Sequence, residues 1–126
     1  MRKTAALVIS TALMLSVSAC GDDIDLNQSA NALNDYYASH PPARGWTVNS
    51  VSPDLNAGKL IVEVLVTSQK DVDHIQTLSR MEQFAIAKLP CPSMTPALST
   101  AIGKDTRVWI HLKSEKAAIT SSICPH

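Results

Sequence analysis

From Leu60 to Val66 the chain reads LIVEVLV. Leu60, Val62, Val64 and Val66 are all apolar, and Ile61 and Leu65 add apolar side chains at the other parity. A period of two belongs to a strand. Apolar residues at both parities predict a central strand partly covered on both faces. Upstream, Trp46 to Val51 alternates weakly and is rich in β-formers. The SPDLNAG cluster that follows, with Pro53, Asp54, Asn56 and Gly58, predicts a turn, so the two strands read as a hairpin. Later, Val108, Ile110 and Leu112 alternate with Arg107, Trp109, His111 and Lys113, the pattern of a half-buried strand. A turn at Ser114 to Lys116 leads into a last strand over Ala117 to Cys124.

Two segments carry the helical period instead. Leu26, Ala30, Leu33 and Tyr37 recur at i, i+4, i+7 and i+11, with Asp25 as cap and His40-Pro41-Pro42 as stop. A second helix is predicted from Val72 to Leu89, capped by Asp71 and stopped by Pro90. Ile75, Leu78, Met81, Ala85, Ile86 and Leu89 form its apolar arc, opposite Asp73, Arg80 and Gln83. The connector CPSMTPALSTAIGKD holds Pro92 and Pro96, with a helical turn near Ala97 to Ile102. The resulting order is αββαββ. It predicts an α+β, two-layer domain, an antiparallel four-stranded sheet with packed helices. That order is similar to the element order of small envelope modules such as BON domains and secretin N-domains, whose signature glycines are not recognisable here.

The N-terminus follows a different pattern. Arg2 and Lys3 precede an uncharged run from Thr4 to Ala19, too short for the roughly 18 to 20 residues of a bilayer-spanning helix. A charged start, an apolar middle and small residues at the end describe an export signal. Its last residues, Val17-Ser18-Ala19-Cys20, resemble the lipobox of bacterial lipoproteins. The resemblance covers about the first 21 residues and implies cleavage before Cys20, with acyl chains attached at Cys20. Two or more chains make a stable membrane anchor where one is marginal. Residues 1–19 are then a removed signal peptide, 20–25 a lipid-anchored tether carrying Asp22, Asp23 and Asp25, and 26–126 a single domain. Gly21 after Cys20 resembles lipoproteins passed to the outer rather than the inner membrane, with the domain facing the periplasm.

This assignment changes how charge and cysteines are counted. The chain has 11 basic and 11 acidic residues, and Arg2 and Lys3 leave with the signal. A slightly acidic, exported chain argues against nucleic acid as partner. With Cys20 taken by lipid, Cys91 and Cys124 remain, and an oxidising compartment makes a disulfide between them the expectation. It closes a loop of about 34 residues, worth roughly 3 to 4 kcal/mol in the chain-entropy description. A metal or redox pair is the alternative, without a C-x-x-C motif to favour it.

Catalytic signatures are missing. The four glycines are scattered, and there is no G-x-S-x-G or H-E-x-x-H. Asp71, Asp73 and Glu82 match positions 1, 3 and 12 of a calcium loop, but Ile75 and Gln76 stand where an oxygen ligand and a glycine are needed. His40, His74, His111 and His126 define no metal spacing. No metal, cofactor or enzymatic activity is expected.

One constellation carries a functional hint. If Val108, Ile110 and Leu112 face the core, Arg107, Trp109, His111 and Lys113 share the opposite face. A basic and aromatic row can bind an acidic partner, a glycan or lipid headgroups. A lone tryptophan usually packs, so cover over Trp109 by the N-terminal helix or a loop is the favoured expectation. The functional expectation is a lipid-anchored, non-catalytic domain that binds another envelope protein as accessory subunit of an envelope or secretion assembly. The alternative is a lipid-anchored binder or inhibitor of a soluble periplasmic enzyme or toxin. A small hydrolase ranks last.

Overall fold

The computed structural model describes residues 25–43 and 45–125. The signal segment, Cys20, most of the tether and His126 lie outside the described residues. The elements run α1 (Leu26–Ser39), β1 (Trp46–Asp54), β2 (Lys59–Val66), α2 (Gln69–Thr77), α3 (Arg80–Ala87), α4 (Pro96–Ile102), β3 (Arg107–Lys113) and β4 (Ala118–Ile123). The fold is α+β, with a four-stranded sheet in the order β1-β2-β3-β4.

The sheet is mixed, which corrects the all-antiparallel expectation. β1–β2 and β3–β4 are antiparallel, as short turns require, but β2 and β3 are parallel. The cause lies in the connection. Between β2 and β3 the chain passes through three helices and returns to the end of the sheet at which β2 began, so Lys59 lies beside Arg107 and Leu65 beside Lys113.

Each helix starts on a short oxygen-bearing side chain. Asp25 caps α1 as expected, its carboxylate accepting from the Asn27 N–H at 3.0 Å. The helix expected over 72–89 is two helices. Ser68, not Asp71, caps the first, and Ser79 starts the second by accepting from the Glu82 N–H at 3.3 Å. Ser79-x-x-Glu82 has the spacing of a capping box, a signal that the apolar periodicity overrides on paper. The break shifts the phase of the apolar arc. α3 buries Ala87 and half-buries Ile86, while Met81 and Leu89 stay exposed. α4 begins with Pro96 behind Thr95 and ends at Gly103, whose φ of 92° suits glycine.

One hydrophobic cluster joins the layers. Leu60, Val62, Val64 and Val66 of β2 and Val108, Ile110 and Leu112 of β3 pack with Leu33 and Tyr37 of α1, Val72 and Ile75 of α2, Ala87 of α3 and Ile102 of α4. The helices therefore share one side of the sheet. β1 joins the cluster through Trp46, Val48 and Val51. A register shift between Val48 and Ser50 lets Val51, rather than Ser50, point inward.

Two groups of cross-links hold the helical layer. Cys91 and Cys124 form the expected disulfide, with Cα atoms 5.6 Å apart, tying the segment after α3 to the end of β4. Around it, the Tyr37 hydroxyl donates to the Pro90 carbonyl, and the Tyr36 hydroxyl accepts from the Ser93 N–H at 3.0 Å. Burial pushes the Tyr37 phenol well above its ordinary value, with the neighbouring Tyr36 adding to the shift. At the other end of α1, buried Ser29 donates to the Ile102 carbonyl at 3.1 Å.

Candidate functional site

Because successive side chains of a strand alternate, the residues between the core positions form the outer face of the sheet. Strand register arranges them in rows. Leu65 stands beside Lys113, Glu63 beside His111 and Ser121, Ile61 beside Trp109 and Ile123, and Lys59 beside Arg107. All four expected residues, Arg107, Trp109, His111 and Lys113, lie on this face. Arg107 is exposed and the other three are half-buried.

Trp109 is half-buried, and α1, one of the two covers expected for it, does not supply that burial. The tryptophan that packs is Trp46, which belongs to the core cluster, and α1 lies on the other side of the sheet. Trp109 is flanked within its own face by Ile61 and by Ile123, which is 37% exposed. The Lys59 ammonium stands 4.7 Å from the centroid of the Trp109 ring, a cation–π contact.

The charges on this face divide into paired and free. The Lys113 ammonium pairs with the Glu63 carboxylate, which also accepts from Asn49 Nδ2 at 3.1 Å. The Lys113 and Asn49 hydrogen bonds hold the Glu63 carboxyl below its usual range. Among the described residues neither Lys59 nor Arg107 enters an ion pair. Positive charge is thus free at the Trp109 end and neutralised at the Lys113 end. A shallow depression of about 400 Å³, lined by Glu63, His111, Lys113, Ile119 and Ser121, lies at the neutralised end.

The sequence pattern identified the β3 residues of this surface but not those of β2 and β4. Ile61 and Leu65 are the outer, half-buried positions of a central strand, in keeping with a strand expected to be partly covered on both faces. Their apolar character was the available signal. What it could not supply was the parallel β2–β3 register that sets Ile61 and Lys59 next to Trp109 and Arg107. The residues that match a calcium loop are spread over α2 and the first turn of α3. Cys91 and Cys124 bond to each other, which removes both sulfurs as metal ligands.

No family model, curated protein or solved structure matches the chain.

Proposed function

We propose that this chain is a lipid-anchored protein of the bacterial cell envelope whose non-catalytic domain binds another envelope protein through the outer face of its sheet. It acts as accessory subunit of an envelope or secretion assembly. The anchor rests on the resemblance of Val17-Ser18-Ala19-Cys20 to a lipobox. The observation that carries the binding role is the row Ile61–Trp109–Ile123, apolar and partly open, next to the free cations Lys59 and Arg107. Aromatic residues beside arginine are enriched where proteins bind proteins. The free positive charge points to an acidic contact surface on the partner.

A photo-crosslinking amino acid tests the face directly. Placed at Arg107 in the anchored protein, it is expected to capture one envelope protein reproducibly. At Gln76, exposed on α2 in the opposite layer, it is expected to capture none. Equal capture at both positions, or none at either, contradicts the assignment. The anchor has its own test: Cys20→Ser should release the protein from membranes and abolish the lipid-shifted mass. Unchanged partitioning counts against Cys20.

A further inference from the structure

Each end of α1 belongs to one end of the sheet. In its first turn the Ser29 hydroxyl donates to the Ile102 carbonyl at the close of α4, and residues 103–106 then lead into Arg107, the start of β3. Near its other end Tyr37 and Ala38 line a cavity with Trp46 and Thr47, the start of β1. Register separates these two places. Trp46 pairs with Val66, whereas Lys59 pairs with Asp54 and with Arg107. α1 therefore begins at the Lys59–Arg107 end and finishes at the Trp46–Val66 end. The 8 residues of β2 set those ends roughly 25 Å apart.

This polarity fixes where the tether enters. Asp25, the cap of α1, follows Cys20 by about five residues, which span at most roughly 18 Å whatever path they take. That reach is shorter than the sheet is long. Acyl chains on Cys20 therefore hold the Lys59–Arg107 end close to the lipid surface. The Trp46–Val66 end comes equally close only when the domain lies on its side.

The near end also carries side chains that favour such a surface. Leu55, in the turn between β1 and β2, is 66% exposed. Lys104 and Arg107 are exposed and Lys59 is half-buried, and among the described residues none of the three enters an ion pair. Lysine and arginine lay their stems along apolar matter and keep their charge among headgroups. The acids of this end are partly engaged, since Asp54 and Asp25 accept from the Ala57 and Asn27 N–H groups, while Asp105 is exposed. With Asp22 and Asp23 in the tether, the local charge is mixed. Net attraction therefore does not hold the domain; the acyl chains do, and the short tether and Leu55 select which end goes down.

We infer that the domain stands end-down on the lipid surface that holds Cys20, with the β1–β2 turn and the α4–β3 loop against the headgroups and the strands upright. The inference rests on the proposed acylation of Cys20 and deepens the proposed function by naming the kind of partner. An upright sheet turns its outer face sideways, along the membrane. The Ile61–Trp109–Ile123 row then lies low on the domain, one two-residue step of roughly 7 Å above Lys59 and Arg107. The partner that meets this row is a protein embedded in the same membrane, contacted just above its headgroups, and not an enzyme free in the periplasm.

Site-specific quenching reads the orientation. The acylated chain, disulfide intact, is placed in vesicles of phosphatidylethanolamine and phosphatidylglycerol whose headgroups carry a nitroxide quencher, with one dye-labelled cysteine at a time. Ala57→Cys, in the near turn, should be quenched several-fold more than Glu115→Cys, in the turn between β3 and β4 at the far end. It should also exceed Ser121→Cys on the outer face and Met81→Cys on α3. None of the four positions is buried, so the melting temperature should stay that of the unaltered protein. Strongest quenching at Ser121→Cys lays the outer face on the lipid, and strongest quenching at Met81→Cys lays the helical side there. Either result, or equal quenching at Ala57→Cys and Glu115→Cys, overturns the inference. The mass at Cys20 separates the two readings. A chain without acyl mass overturns anchor and orientation together, whereas an acylated chain without the gradient overturns the orientation alone. The vesicles hold no other protein, so the outcome is independent of partner binding.

Discussion

Ile110 and Trp109 are neighbours in β3, yet they do opposite work. Ile110 is fully buried against the helical layer, while Trp109 looks out from a face on which none of the described helices packs. The same contrast runs the length of the strand, with Val108 and Leu112 inside and Arg107, His111 and Lys113 outside. A two-layer fold needs apolar side chains on one face only. Large apolar groups on the other face, Ile61, Trp109 and Ile123, therefore have no role in joining the layers. Burial maintains the inner face; the outer row is left available for contact.

The comparison breaks most visibly at its buried member. Ile110→Ala should cost roughly 2 to 5 kcal/mol in chemical denaturation, from lost transfer energy and the cavity left behind. If the loss is below about 1 kcal/mol, the inner face is not the core described here. Replacing Cys91 and Cys124 by serine should cost roughly 3 to 4 kcal/mol, measured the same way under oxidising conditions. That change removes the tie between the helical layer and β4 while leaving the outer row untouched.

Tyr37 sharpens the contrast through pH. Its folded phenol holds a proton well past the ordinary value of about 10, so the folded chain binds more protons than the unfolded chain above that pH. Stability should be whole below about pH 10 and fall as pH rises beyond it. Tyr37→Phe should lose roughly 1 to 3 kcal/mol at neutral pH, by leaving the Pro90 carbonyl without its donor, and should abolish this alkaline component. Equal alkaline slopes in the two proteins would assign the component elsewhere.

The smallest effect belongs to the outer face. Glu63 titrates below its usual range when folded, so its pair with Lys113 contributes above the unfolded value and is lost as pH falls through the folded one. For a partly exposed pair the contribution is below about 1 kcal/mol and should shrink with added salt. Glu63→Gln should therefore flatten the acid limb of the stability curve only slightly. A loss of several kcal/mol would show that the outer face also holds the fold.

Period-two and helical patterns were enough to place α1, both hairpins, the inward positions of β2 and β3 and the cysteine pair. Each of these depends on local alternation or on a count of two thiols. The interruption at Leu78–Ser79 was harder to read, because Leu78 and Met81 continue the apolar period while Ser79 ends it through a single hydrogen bond. The parallel β2–β3 pairing was out of reach, since it depends on where a three-helix crossover delivers the chain. That pairing is also what sets Lys59 and Ile61 beside Trp109. The β3 residues of the candidate surface were therefore visible one by one, and the surface as a whole was not.

Trp109→Ala, compared with the unaltered protein for both melting temperature and co-purification from detergent-solubilised envelope, tests the outer-face assignment most directly. The assignment predicts that the melting temperature stays within a few degrees, corresponding to a loss of less than about 1 kcal/mol, while the co-purifying envelope protein is lost. Retained co-purification would contradict it, and so would a collapse in melting temperature comparable to that of Ile110→Ala.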